Sequence, residues 1–187
     1  MVWMLLIVLA GLVLLVIGMY NSLVGLKVRS ENAWADIDVQ LKRRYDLLPN
    51  LIETVKGYAG HEKQTFEAVI AARNRAMAAT SPSTKAEAEG RLAQSLKSLF
   101  ALAEAYPQLR AVESFTQLQG SLNQIEEAVQ NARRYYNAVV RDLNTKIQEF
   151  PSNFIAGFFN FTPREFFEIS DAAERAVPKV SFDQASR

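Results

Sequence analysis

The chain has 187 residues, with 21 basic and 20 acidic side chains, a formal net charge of +1, one histidine and no cysteine. That length accommodates one domain and hardly two. The lack of cysteine excludes disulfides, thiol catalysis and cysteine-ligated metals. A balanced charge without a basic patch argues against a nucleic-acid partner.

The first element is apolar throughout. Residues 2–19, VWMLLIVLAGLVLLVIGM, carry no charge; Tyr20 follows, and the first charged side chain is Lys27. As a helix, such a run reaches about 27–30 Å, close to the thickness of a bilayer's hydrocarbon core. A cleavable leader would want a basic start, a shorter apolar core and a small-residue cleavage site. Only the terminal amine precedes this run, and MYNSLVGLK is a weak cleavage context. Residues 1–26 therefore read as an uncleaved transmembrane anchor, touching membrane lipid through residues 2–20. Lys27, Arg29, Lys42, Arg43 and Arg44 lie behind it, so the positive-inside rule favours a cytoplasmic domain. Gly18 and Ser22 form a small-x-x-x-small pair that permits helix pairing in the membrane.

From Lys27 to Ala79 the apolar positions keep helical spacing: Trp34, Ile37, Leu41, Tyr45, Leu48, Ile52, Val55 and Ala59, then Phe66, Val69 and Ala76. The pattern predicts one long helix with an irregularity at Pro49. A proline there removes an amide donor, and its ring crowds the Tyr45 carbonyl. A kink or tight break is expected, with Asp46 able to cap a fresh helix start. The freed carbonyl can recruit a side chain; Arg43 and Arg44 are candidates, unless they form the solvated face. Gly57 and Gly60 each cost roughly 1 kcal/mol relative to alanine in a helix interior. They predict close approach of a neighbouring helix or, alternatively, a local bend.

TSPSTKAEAE at 80–89 is the first clear turn signal, and Thr84 with Glu87 offers a capping box. A second helical unit over 84–105 follows, with Leu92, Leu96, Leu99 and Ala103 on one face. Pro107 suits the first turn of a third unit. Its stripe of Phe115, Leu118, Leu122, Ile125, Val129, Ala132, Tyr136, Val139 and Leu143 is the most regular in the chain. Strand signal is slight. The fold class is all-α: an N-terminal transmembrane helix followed, over 27–171, by an antiparallel helical bundle of long helices.

The segment FPSNFIAGFFNFTPREFFEI, residues 150–169, is dense in aromatic rings; with Phe182 it holds eight of the chain's 11 phenylalanines. Thr162, Pro163 and Glu165 have the pattern of a helix start. Phe154, Phe158, Phe159, Phe161, Phe166 and Phe167 form an apolar contact surface too large to stay solvated. It folds back over the bundle, meets a partner or second copy, or attaches to the membrane surface. Residues 172–187 read as an extended or disordered tail.

The stretch RRYDLLPNLIETVKGYAGHE, residues 43–62, concentrates the candidate chemistry. His61-Glu62 superficially resembles the start of a zinc-protease motif, but position 65 is Thr where the second histidine would stand. A helical di-metal centre wants Glu-x-x-His units, and position 58 is Tyr. No phosphate-binding glycine loop occurs. No metal site, cofactor or catalytic residue is implied.

The run ENAWADIDVQLKRRYDLLPNLIETVKGYAGHE resembles the signature of the LemA family of bacterial membrane-anchored proteins. The likeness continues through FEAVIAARNRA, AEAYPQLRA, ARRYYNAVVRDLN and FPSNFIAGFF. It implies one transmembrane helix in a bacterial cell membrane and a helical bundle domain, and no reaction. The landmark positions it marks are Trp34, Asp38, Arg43, Arg44, Tyr45, Asp46, Pro49, Asn50, Gly57, Tyr58, His61, Glu62, Arg73, Tyr106, Pro107 and Pro151.

The leading expectation is a non-enzymatic membrane-anchored scaffold or adaptor that binds an unknown protein partner or associates with itself. One alternative is a hydrolase or ligand-binding bundle using a polar pocket in which Tyr45, Asp46, Tyr58, His61 and Glu62 converge. The other is a protein that senses or remodels the bilayer through its Phe-rich segment.

Overall fold

The computed structural model describes residues 1–168, in the order α1 (Val2–Ala59), α2 (Lys63–Ala78), α3 (Pro82–Glu104), α4 (Pro107–Arg110), α5 (Glu113–Gln148) and α6 (Ser152–Phe158). At about 1.5 Å per residue, α1 is on the order of 87 Å long. None of its apolar first third is buried, and among the described residues α1 is the one helix long and apolar enough to cross a membrane.

Beyond that span the sequence changes period. Leu23, Ser30, Ile37, Arg44 and Leu51 are buried at intervals of seven, with Leu41, Leu48 and Val55 between them. Helix α5 answers with Phe115, Leu122, Val129, Tyr136 and Leu143, also seven apart. A seven-residue repeat on both partners keeps their stripes facing each other over many turns. The α1–α5 interface is accordingly the largest in the molecule. Going down α1, Arg44 meets Glu126, Trp34 meets Tyr136 and Tyr20 meets Phe159, so the chain after α4 runs antiparallel to α1.

Helices α2 and α3 fold on each other and cover the part of α1 far from the membrane. Ser81 caps α3: its hydroxyl accepts from the Thr84 amide while Thr84 reaches back to the Ser81 amide, with Pro82 opening the helix. The expected Thr84–Glu87 box is thus displaced by one turn, because Pro82 takes the first helical position. The single turn α4 places Leu109 in the core at the far end.

Three further expectations need correction. The helix expected over 27–79 is interrupted at Gly60–Glu62, not at Pro49; α1 runs unbroken through Pro49. Of the two readings of the glycine pair, the close helix approach fails, since a Cβ on Gly57 would find nothing within 4 Å; the local bend is met at Gly60, which ends α1 with an ordinary right-handed φ of −60°. The third correction concerns Thr162, Pro163 and Glu165, which begin no helix. Asn160, at φ 57°, closes α6: its amide donates to the Gly157 carbonyl and that of Phe161 to the Ala156 carbonyl. This is the Schellman arrangement, in which a left-handed residue satisfies the last carbonyls. Pro163 therefore follows a helix stop.

After that stop, residues 161–168 form neither helix nor strand and run back along α5. Asn144 exchanges two hydrogen bonds with the backbone of Arg164, donating to its carbonyl at 2.9 Å and accepting from its amide at 2.8 Å. Asn137 does the same with Phe167 at 3.1 and 2.9 Å, and the Tyr136 hydroxyl donates to the Glu165 carbonyl at 2.9 Å. The spacing explains the fit. Seven helical residues rise about 10.5 Å and three extended residues about 10 Å, so two amides two turns apart meet residues 164 and 167. Phe167 is delivered into the core against Trp34, ring centroids 5.6 Å apart. The tail assigned to 172–187, and Phe182 with it, lies outside the described residues.

Candidate functional site

The polar groups of the bundle converge on α1 between Asp38 and Tyr45. Arg44 occupies one of the seven-spaced buried positions, where its guanidinium donates to Glu89 of α3 at 3.1 Å. The Tyr45 hydroxyl donates a short hydrogen bond to the other oxygen of the same carboxylate. Glu89 is 1% exposed and sits in phase with Ala86, Leu92 and Leu96 on the apolar stripe of α3. Arg44 also approaches Glu126 of α5 to 2.9 Å, off the line of a hydrogen bond, so this is a contact of charges. One helical turn away, Lys85 of α3 pairs with Asp38 at 3.2 Å. One arginine thus ties α1 to both α3 and α5.

Burial is the largest influence on Glu89 and pushes its pKa up, with Glu126 adding to it; the Tyr45 hydrogen bond, Arg44 and Lys85 oppose it. Tyr45 is raised well above the usual phenol range, first by burial and then by the charge of Glu89. It therefore stays a neutral donor. The expectation that Arg44 faces solvent is overturned: its stem packs inside and its charge is consumed in pairing.

Pro49 contributes in the way its chemistry dictates. The Tyr45 carbonyl, deprived of its helical amide, accepts from Arg73 Nε of α2 at 2.8 Å. A freed carbonyl does recruit a cation, but from a neighbouring helix; Arg43 points outward beside Gln40. The proline and the arginine 24 residues downstream form one device joining α1 to α2.

The remaining positions divide sharply. Trp34 is half-buried, its ring tilted against that of Tyr136 with centroids 5.3 Å apart, and Tyr106 is half-buried beside Pro107, which opens α4. Asp46, Pro49, Asn50, Gly57, Tyr58, His61 and Glu62 are exposed. Tyr45 is inside the bundle while Tyr58, His61 and Glu62 surround the α1–α2 turn, about 20 Å further along α1. The structure does not bring these five candidate side chains to one pocket. Among the described residues no three His, Asp or Glu side chains cluster in a way that could hold a metal ion. Of the Phe surface, Phe167 is buried and Phe161 half-buried, while Phe154, Phe158, Phe159 and Phe166 are exposed.

Sequence reasoning missed Lys85, Glu89, Glu126 and Asn144. For Glu89 the signal was present: a charge in phase with an apolar stripe is rarely left unpaired.

The LemA family model matches residues 33–182. Magnetosome proteins MamQ 1 and MamQ 2 of Paramagnetospirillum magneticum are each 23% identical to the chain, covering 84% of it and 68% of their own length. Magnetosome protein MamQ of Magnetospirillum gryphiswaldense is 20% identical over the same shares.

Proposed function

The chain belongs to the LemA family, and on that premise we propose that it is a non-catalytic scaffold or adaptor of a bacterial membrane, with its helical domain facing the cytoplasm. The observation that carries this reading is the division of residues 43–62. The side chains that face inward are consumed in pairs that lock α1 to its neighbours. Those that face outward, Arg43, Asp46, Asn50 and Gly57, form an open stripe along α1. A rib of this kind suits docking of another protein or a second copy, whereas a reaction needs walls around the groups that perform it. The relatives are named as magnetosome proteins, which supports a part in a larger assembly. The unit that does the docking is taken as residues 27–171.

Photo-crosslinking from Asn50 and Tyr58 in native membranes tests the proposal. We expect covalent adducts with a protein partner or with a second copy. Recovery of the monomer alone from both positions, across several growth conditions, would count decisively against it.

A further inference from the structure

The Phe-rich hairpin sits at the wrong place to be solvated. Phe150, Phe154, Phe158 and Phe159 are 81%, 67%, 80% and 46% exposed, on the order of 500 Å² of aromatic surface. A soluble face of that size would be a large apolar patch. Its position says what covers it. The ring of Tyr20, where the apolar span of α1 ends, lies 4.6 Å from that of Phe159 and 5.9 Å from that of Phe161. Along the same face of α1, Leu23 is buried and Met19 and Val16 are half-buried, while every other residue up to 22 is exposed. Helix α6 therefore packs on α1 at the level where α1 leaves the hydrocarbon.

We propose that α6 is an interfacial foot: Phe150, Phe154 and Phe158 insert into the acyl–headgroup boundary of the same bilayer that α1 spans. Tyr20 stands where amphipathic aromatic rings flank membrane spans, and phenylalanine beside it is a residue of the apolar face that interfacial helices bury. The polar groups at this end of the molecule suit the same placement, since Lys27 and Arg29 follow directly after the apolar span of α1, where headgroups begin. The foot and the span together give the domain two attachments. A single helix leaves the domain free to swing, whereas a second contact, held by the Asn137 and Asn144 pairings, fixes its tilt. The surface is continuous with the exposed apolar face of α1, which is why lipid and not a soluble partner is its occupant.

The chain contains no cysteine, so Phe154→Cys and Phe158→Cys each carry a unique site for a nitroxide label. The full-length variants are placed in phosphatidylcholine–phosphatidylglycerol vesicles, with Asn50→Cys as a reference on the bundle. Collision with lipid-soluble oxygen and with a water-soluble nickel chelate is then compared. We expect the oxygen-to-nickel ratio at 154 and 158 to exceed that at 50 several-fold. A ratio equal to that at 50 places the rings in water and overturns the proposal. Protection from both reagents with spin–spin broadening shows a second copy on the patch and overturns it equally. Circular dichroism matching the unsubstituted chain establishes that each variant is folded.

Discussion

The Arg44–Glu89 pairing and the pairings of Asn137 and Asn144 both bring polar side chains against apolar stripes, yet one is built from ionisable groups and the other from neutral amides. The ionisable set joins helix to helix midway along the bundle, where each partner's side chain must find the other at one register. The neutral set joins a helix to an extended backbone, whose amides and carbonyls carry no charge and need two-sided partners. A buried ion pair gives up hydration on both sides and returns little net stability, but losing one member is severe. An amide pair costs less to bury and less to lose. The difference teaches that the middle of the bundle is specified by charge and its membrane end by hydrogen-bond spacing.

The largest expected effect is at Glu89. Replacing Glu89 by alanine leaves the Arg44 guanidinium and the Tyr45 hydroxyl inside without their shared acceptor. The loss should be about 3–5 kcal/mol, measured by urea unfolding of the full chain in micelles through Trp34 fluorescence in a Trp3→Phe background. The triple variant Arg44→Met, Tyr45→Phe, Glu89→Leu removes the three buried members at once, leaving only the partly exposed Glu126, and should fall within about 1 kcal/mol of the unsubstituted chain or above it. A triple variant as unstable as the single one would show that the node contributes directly and does not act mainly through unpaired charge.

Asn144→Ala breaks the other side of the comparison. It strands the Arg164 amide and carbonyl in a half-buried position, at about 1–3 kcal/mol. Hydrogen exchange should quicken at the amides of residues 164–167 and leave the Arg44 region unchanged. Quickening at both would mean that the two regions form one cooperative unit.

How much of this was legible varies with the range of the interaction that decides it. The heptad stripe of α5 and the apolar span of α1 are local patterns and read directly. The Thr162-Pro163-x-Glu165 pattern was misread because a helix start and the residues after an Asn-closed helix look alike. What decides between them is Asn137 and Asn144, roughly 20 to 30 residues away in sequence. Arg73 escaped as the partner of Pro49 for the same reason. The break at Gly60–Glu62 carries no positive φ and no proline, so the glycine pair offered a bend only as one of two readings and did not fix where the helix stops. Glu89 alone could have been found, by noticing that AEAEGRLAQSL places a carboxylate in the apolar phase.

A smaller effect sharpens the link between α1 and α2. Arg73→Ala should cost about 1 kcal/mol by leaving the Tyr45 carbonyl without a donor. Pro49→Ala supplies an amide at residue 49 for that carbonyl and should stabilise the chain by about 1–2 kcal/mol, the relief of the helix exceeding the added freedom of the unfolded chain. In the Pro49→Ala background the cost of Arg73→Ala should shrink toward zero. Additive effects from the two substitutions would separate the arginine from the proline.

The smallest effect is a slope. Burial raises the pKa of Glu89 in the folded chain above its unfolded value, which means folding favours the protonated carboxyl. The corresponding stability is fully present below the ordinary carboxylate range and is lost as pH rises from there to the folded value. Glu89→Gln is permanently neutral and cannot lose it. The unfolding free energy of Glu89→Gln relative to the unsubstituted chain should therefore move in favour of the glutamine variant as pH is raised through that window. Beyond the folded pKa the difference should become constant. Movement in the opposite direction would mean that Arg44, Lys85 and the Tyr45 hydrogen bond outweigh burial, and that the node is held together as an ion pair even at the acid end.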